Sequence, residues 1–386
     1  MARLKLGILS AAVGAVVACG AAVTSSPIAP PALRVQGRQF VDESGRVYIP
    51  RWVSGLTLLA RTADQQAAFL DWAKDTGFNG VRVFAGALAW APQTPEQARQ
   101  ALPALLDRAA ARGLVVEVTA LTDTGSGYDA RAHLESVATI LDGRRGVVLE
   151  LANEVGHDTQ AADLTPDRLH AWGTEIAASR RLLWAIGAHD APVRAGAYTT
   201  VHLDRGPPFW QQIARVRDLS ALADRFGVPV IDNEPIGADE RHGRETGRQR
   251  WNDPAGFFAL GVLDRAFGIG GVHHSQAGLM AERPGPVQQL CAVAYVAGHR
   301  SVEQVLAGAP SWFLDVGAPQ SPVTSIDATR VVNAYSFVAG SRGVVVLLGV
   351  TGDSAVTWSS GWRQVGVAAT RTATDGSRID VVEITR

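Results

Sequence analysis

A closed (β/α)8 barrel followed by a small antiparallel β domain is the fold class that this sequence predicts, on three observations. Strand-like and helix-like patterns alternate over the central roughly 260 residues, which implies a parallel sheet and suits an eightfold barrel. Two apolar runs end in glutamate, Val147-Val148-Leu149-Glu150-Leu151-Ala152-Asn153-Glu154 and Val228-Pro229-Val230-Ile231-Asp232-Asn233-Glu234. Such runs read as buried parallel strands, and barrel chemistry sits where those strands end. From about Gly317 the pattern changes to short strand-like runs separated by Gly-rich or Asp-Gly turns, including Asp375-Gly376.

The elements follow in order. Phe40 to Ile49 reads as a hairpin turning at Ser44-Gly45. Thr62 with Gln65 forms a capping box that opens a helix ending near Gly77, and Gly80 to Phe84 is a buried strand. Thr94-Pro95-Glu96-Gln97 starts another helix, with proline at its first position, and Ala111-Arg112-Gly113 stops it. Leu114 to Thr119 is a strand, Ala130 to Leu141 a helix, and a further helix opens at Thr165-Pro166 after the Glu154 strand. Tyr198 to Leu203 is a strand, Trp210 to Phe226 a helix, and a helix around Phe257 to Phe267 follows the Glu234 strand. Gly270 to Ser275 is the last barrel strand, with a helix from about Val287. The fifth strand is expected at Val193-Arg194-Ala195-Gly196, which leaves no room for a crossover helix before Tyr198. Either that repeat is abbreviated or the strand lies elsewhere.

The N-terminus reads as a targeting segment. Arg3 and Lys5 precede an apolar stretch from Leu6 to Val17 that is short for a membrane span. Val16-Val17-Ala18-Cys19 resembles the bacterial lipobox, whose cysteine becomes the acylated first residue; a plain signal peptide cut nearby is the alternative. The chain thus divides into a leader (1–19), a tether (20–35), the barrel (36–315) and a small β-sandwich-like domain (316–386). The expectation is a bacterial cell-envelope protein, lipid-anchored through Cys19 or secreted, and monomeric.

Composition excludes several classes. A formal charge of −1 with no basic run argues against a nucleic-acid partner. Lysine occurs only at Lys5 and Lys74, and Lys74 lies in a helical stretch, so a Schiff-base lysine at a strand end is not expected. With Cys19 acylated, Cys291 is the one thiol left, which rules out an intrachain disulfide; its apolar helical run makes it a buried hydrophobe. No cysteine–histidine metal set can be assembled, and His273-His274 cannot both ligate one ion, because adjacent strand residues face opposite sides. His273 is taken as the one that lines the pocket. No P-loop, dinucleotide fingerprint or G-x-S-x-G elbow is present, so no cofactor is expected and a triad built on Ser54 or Ser275 is discounted.

Two carboxylates at strand ends are the minimal apparatus for cleaving a glycosidic bond, one as acid/base and one as nucleophile. The acid must carry a proton while the nucleophile stays ionised, so their surroundings should push the two pKa values apart. Arg82 is expected at the barrel mouth, holding Glu234 ionised. Asn153 is a donor to a sugar hydroxyl or a loop-capping amide. Glu150 shares the strand parity of Glu154, points into the barrel and needs a cation such as Arg82. His202 is either a site residue or a core histidine. Trp52, Trp90, Trp210 and Trp251 offer flat faces on which sugar rings stack, Trp90 being the substrate-binding candidate.

These motifs, in this order, resemble the retaining glycoside hydrolases of clan A, which includes the family 5 cellulases and mannanases. The resemblance covers the central ~260 residues. It rests on the Phe40 to Ile49 hairpin, on Gly77-Phe78-Asn79 with Arg82, on Asn153-Glu154, on His202 and on Glu234. It implies that Glu154 is the acid/base, that Glu234 is the nucleophile and that a β-glycosidic bond is cleaved with retention. The chain departs from the clan on the eighth strand, where a tryptophan often lies beneath the sugar. A non-catalytic glycan-binding lipoprotein on the same barrel is the alternative. A metal-dependent barrel hydrolase lacks a ligand cluster.

Overall fold

The computed structural model describes residues 29–86, 93–188, 192–202, 209–235, 253–274, 285–306, 312–353 and 356–386. The leader, Cys19, Trp90, Trp251 and Ser275 lie outside the described residues.

The barrel is parallel and closed. Its first four strands are Arg51–Ser54, Gly80–Phe84, Val115–Leu121 and Val147–Ala152, and the last three are Thr199–Val201, Val230–Asp232 and Gly270–His273. Each pairs with its neighbour, and the eighth pairs with the first. The fifth strand consists of two short pieces, Trp184–Ala185 on the fourth strand and Gly187–Ala188 on the sixth, and it closes the ring. The expected placement at Val193–Gly196 is therefore corrected. That stretch is the return connection, and Gly196, in the left-handed region at φ +74°, passes against the Trp184 ring. The repeat is also abbreviated: no helix occurs among residues 192–198.

Local chemistry sets the helix starts. Thr62 and Thr94 both make full capping boxes, with Gln65 and Gln97, opening Ala63–Thr76 and Pro95–Ala110. Asp129, Thr165 and Asp253 cap Ala130–Leu141, Pro166–Ser179 and Pro254–Phe267 through side-chain oxygens. The helix expected across Trp210 to Phe226 is two helices, Phe209–Ala214 and Val216–Phe226. Among the described residues no helix is long and apolar enough to cross a membrane.

Strand alternation divides the barrel interior into two zones. The lower zone is apolar: Trp52, Val115, Val148, Ala185, Tyr198, Ile231 and Val272 form one buried cluster, closed from below by Phe40 of the N-terminal hairpin. Phe40 meets the Tyr198 ring at 5.5 Å. Gly80 makes room there, because a Cβ would lie 2.4 Å from the Trp52 ring. Two residues further along the same strands stand Ser54, Arg82, Glu117, Glu150, Thr200, Asn233 and His274, all buried. The first described residues also lie at the lower face, where Pro30 covers Gly146.

The C-terminal region is a five-stranded antiparallel sheet in the order Trp312–Asp315, Asn333–Ala339, Arg342–Val350, Arg378–Thr385, Arg363–Thr372. A pair formed by Val323–Ile326 and Val356–Trp358 accompanies it. The sheet's first strand precedes residue 316, and it and Val323–Ile326 are additional to the runs read from sequence. Phe337, Val344, Val346, Leu348, Ile379 and Val381 join the core of the barrel helices, while Val345, Leu347, Val382 and Ile384 build a separate core on the other face. The tip before the last strand also docks on the barrel. Trp210 Nε1 donates to Ser377 Oγ at 2.7 Å, and Thr374 N donates to Asp253 Oδ2 at 2.7 Å.

Candidate active site

Arg82 is the hub. It is fully buried, and its guanidinium reaches Glu150 at 2.8 Å, Glu234 at 3.1 Å and Glu117 at 3.6 Å. It also donates to Asn153 Oδ1 at 2.7 Å. Burial opposes its charge, but Glu150, Glu234 and Glu117 outweigh that and raise its pKa. Glu150 takes further hydrogen bonds from Thr119 Oγ1 at 2.6 Å and Asn233 Nδ2 at 2.9 Å. Burial pushes Glu150 up, yet Arg82, then His202, prevail and hold it below the usual carboxylate range. Gly187 admits this side chain, since a Cβ there would sit 2.7 Å from Glu150 Oε1.

Glu154 follows the fourth strand in a left-handed conformation, φ +46°, the one non-glycine residue so placed among the described residues. Such geometry costs about 1–3 kcal/mol and persists where the surroundings over-determine it. Here Asn153 N donates to Leu121 O at 2.8 Å and Val155 N to Gly187 O at 2.8 Å, while Gln160 Nε2 donates to Asn153 O. The turn is pinned from both neighbouring strands, which aims Glu154 across the mouth.

Across from it, His202 Nδ1 lies 3.2 Å from Glu154 Oε1 and 3.6 Å from Glu234 Oε1. One ligating atom from each of Glu154, His202 and Glu234 falls within a common 4.8 Å. Burial alone would lower the His202 pKa, but the Glu234 charge and the bond to Glu154 push it up to about 10. Burial raises Glu154, and the hydrogen bond and charge of His202 outweigh it, so its pKa lies below the ordinary value. His202 thus favours the ionised form of Glu154, from one hydrogen bond away.

The structure brings Arg82, Asn153, Glu154, His202 and Glu234 together and separates His273 from them. Val272 points into the barrel, so His273 points out, where its ring packs 4.6 Å from Phe257 and 5.9 Å from Phe78. His274 takes the interior place instead, with Nε2 3.7 Å from Glu234 Oε2. Asn153 serves Arg82 through its oxygen. Trp52 lies in the lower zone and Trp210 beneath the C-terminal sheet, both buried away from the mouth.

Sequence reading missed Glu117. Tyr198 Oη donates to its Oε1 at 3.0 Å, and burial, then the Glu150 charge, pushes its carboxyl up to about 8. A lone charged residue inside Val115–Leu121, in phase with Thr119, is the signal that could have found it. His157 is a second omission; its backbone N donates to Glu154 O at 2.9 Å and helps hold the turn.

No protein-family model and no curated protein sequence matches this chain. Solved structures do resemble it. One is a glycoside hydrolase family 5 protein from Bacteroides vulgatus, 12% identical, with TM-score 0.64 over 92% of this chain and 93% of that one. A second, described as a glycoside hydrolase, is 13% identical, with TM-score 0.65 over 94% and 98%. A beta-glucanase from Saccharophagus degradans, also solved with cellotetraose, is 16% identical in its native form, with TM-score 0.52 over 71% of this chain and 95% of its own. At these identities the likeness is one of architecture: the chain has the (β/α)8 barrel fold seen in family 5 glycoside hydrolases.

Proposed function

We propose that this chain is a retaining glycoside hydrolase that cleaves a β-glycosidic bond by double displacement, with Glu234 as nucleophile and Glu154 as acid/base. The observation that carries the reading is the approach of the Glu154 and Glu234 carboxylates around His202, with the ligating atoms within 4.8 Å. Retaining enzymes hold their carboxyl groups about 5–5.5 Å apart, whereas inverting ones leave about 6.5–9.5 Å for a water. The architecture shared with family 5 structures supports it by analogy of fold.

In the first step a Glu234 oxygen bonds to the anomeric carbon while the glycosidic bond breaks and Glu154 protonates the departing oxygen. His202 holds the proton that Glu154 needs. A sugar seated at the mouth removes water from Glu154, raises its pKa and draws that proton across the 3.2 Å contact. In the second step Glu154 takes a proton from water, whose oxygen displaces Glu234 from the anomeric carbon. Arg82 holds Glu234 ionised at both ends of the cycle.

The test is hydrolysis of a panel of aryl β-glycosides and β-glycans, followed by NMR of the first-formed anomer, with Glu234→Gln as control. Turnover with the β-anomer formed first supports the reading; an α-product would reassign the enzyme as inverting. The rival, a glycan-binding protein without turnover, gains from one observation: an imidazole stands at the interior end of the eighth strand and both described candidate platforms are buried elsewhere. Glycan binding with no hydrolysis anywhere in the panel would favour it.

Location at the bacterial envelope is part of the proposal. It is supported by Val16-Val17-Ala18-Cys19 and the Ala/Ser/Pro tether. Two or more acyl chains give stable anchoring where one gives marginal binding. Mass spectrometry of the mature N-terminus should find a diacylated or triacylated Cys19; an unmodified start downstream of Ala21 would remove this claim alone.

A further inference from the structure

Glu234 has a second histidine on its far side. His274 is buried, with Nδ1 3.2 Å from Ser54 Oγ and Nε2 3.7 Å from Glu234 Oε2. Ser54 ends the first strand, Glu234 follows the seventh, and His274 follows the eighth, which lies between them in the ring. All three therefore belong to adjoining strands of the barrel wall. Arg82 addresses Oε1 of Glu234, and His274 stands on the Oε2 side. A hydroxyl can donate to one imidazole nitrogen, which leaves the proton of the neutral ring on the other. A carboxylate at Nε2 asks for that tautomer, since it can only accept.

We infer that His274 is a positioning residue for Glu234: Ser54 fixes its tautomer, and its Nε2–H stabilises the charge that returns to Glu234 when the glycosyl–enzyme bond breaks. This rests on the assignment of Glu234 as nucleophile. In that step the bond between the anomeric carbon and the Glu234 oxygen breaks and a bond from water oxygen to the anomeric carbon forms. The electron pair goes to the Glu234 carboxylate, and the water proton goes to Glu154. The negative charge spreads over both carboxylate oxygens, so a donor at Oε2 assists whichever oxygen was esterified. At 3.7 Å the pair is longer than a hydrogen bond, and catalytic contacts of this kind tighten in the substrate complex. The donor opposes attack in the first step by stabilising the free carboxylate, and it promotes the second. A merely structural residue would not divide the two steps in this way.

The experiment uses the full chain and a dinitrophenyl β-glycoside, whose leaving group makes the first step fast. His274→Phe should slow deglycosylation by about 10²–10³-fold, the effect of losing one oriented donor, so that a pre-steady-state burst and a trapped glycosyl–enzyme mass appear. His274→Gln, whose amide nitrogen can reach the Nε2 position, should recover much of that rate, and Ser54→Ala should lose a few-fold. Nitrogen-15 NMR of the histidine rings supplies a readout that needs no turnover. His274 should be the Nε2–H tautomer, its signals should move in Glu234→Gln, and Ser54→Ala should mix the tautomers. An Nδ1–H tautomer indifferent to Glu234→Gln overturns the inference, as does His274→Phe with an unchanged division between steps. A wild-type chain inactive on every glycoside would instead count against the proposed function, and the NMR contact would still decide the role of His274.

Discussion

The lower and upper zones of the barrel interior are built by the same strands, two residues apart, and they obey opposite rules. Below, Trp52, Val115, Val148, Ile231 and Val272 fill the ring with carbon and need no partners beyond shape. Above, one guanidinium is shared among Glu117, Glu150 and Glu234, and Glu154 is held in a left-handed turn. Burying several carboxylates around one cation costs desolvation that the ion pairs repay only in part. The lower zone is where the barrel gains stability; the upper zone is where stability is given up for charged groups held in fixed places.

Substitutions can break or sharpen that contrast. The largest effect should come from Glu234→Gln, which is expected to cut kcat/KM on the order of 10⁴-fold while leaving Tm unchanged or higher, because it removes one of the carboxylates crowding Arg82. Calorimetry beside kinetics checks both halves, and a clear fall in Tm would blur the distinction between zones. Trp52→Ala is the converse. It should destabilise the fold by about 3–5 kcal/mol in denaturant unfolding, with kcat/KM of the folded fraction altered only a few-fold.

Thr119→Val removes the hydroxyl that donates to Glu150 at 2.6 Å and keeps the shape. A loss of about 2 kcal/mol is expected for a bond to a buried charge, with a moderate loss of activity because Glu150 shares Arg82 with Glu234. Equal stability in the variant would mean that Glu150 is satisfied without the hydroxyl.

The smallest effect is a slope against pH. Glu117 is pushed up to about 8, first by burial and then by Glu150, from an ordinary value of 4.5. Between those values the folded chain keeps a proton that the unfolded chain has released. This group's contribution therefore falls as pH rises, by up to about 1.4 kcal/mol per pH unit, and levels off above the folded value. Glu117→Gln, permanently neutral, should flatten that part of the stability profile when unfolding is followed from about pH 5 to about pH 8. The same slope in both proteins would show that Glu117 is ionised throughout.

What the sequence revealed depended on how local the cause was. The boxes at Thr62–Gln65 and Thr94–Gln97 are written within four residues, and those helices start where expected. The strand-end glutamates were legible because a buried apolar run admits a carboxylate only for a reason. The fifth strand was not, because Trp184–Ala185 and Gly187–Ala188 are too short to show a period and are made strands by their neighbours. His273 and His274 could be told apart only once Val272 was known to face inward. Glu117 gains its meaning only when a closed ring puts Arg82 and Tyr198 beside it. The strands Trp312–Asp315 and Val323–Ile326 are likewise fixed by pairing partners distant in sequence.

Pro30 resting on Gly146 has a consequence for how the molecule would stand at a surface. The chain enters the barrel at the end opposite Glu154 and Glu234. If Cys19 is acylated, the ten residues from it to Ala29 reach at most about 35 Å. Such a leash would hold the barrel floor towards the bilayer and leave the mouth facing outward.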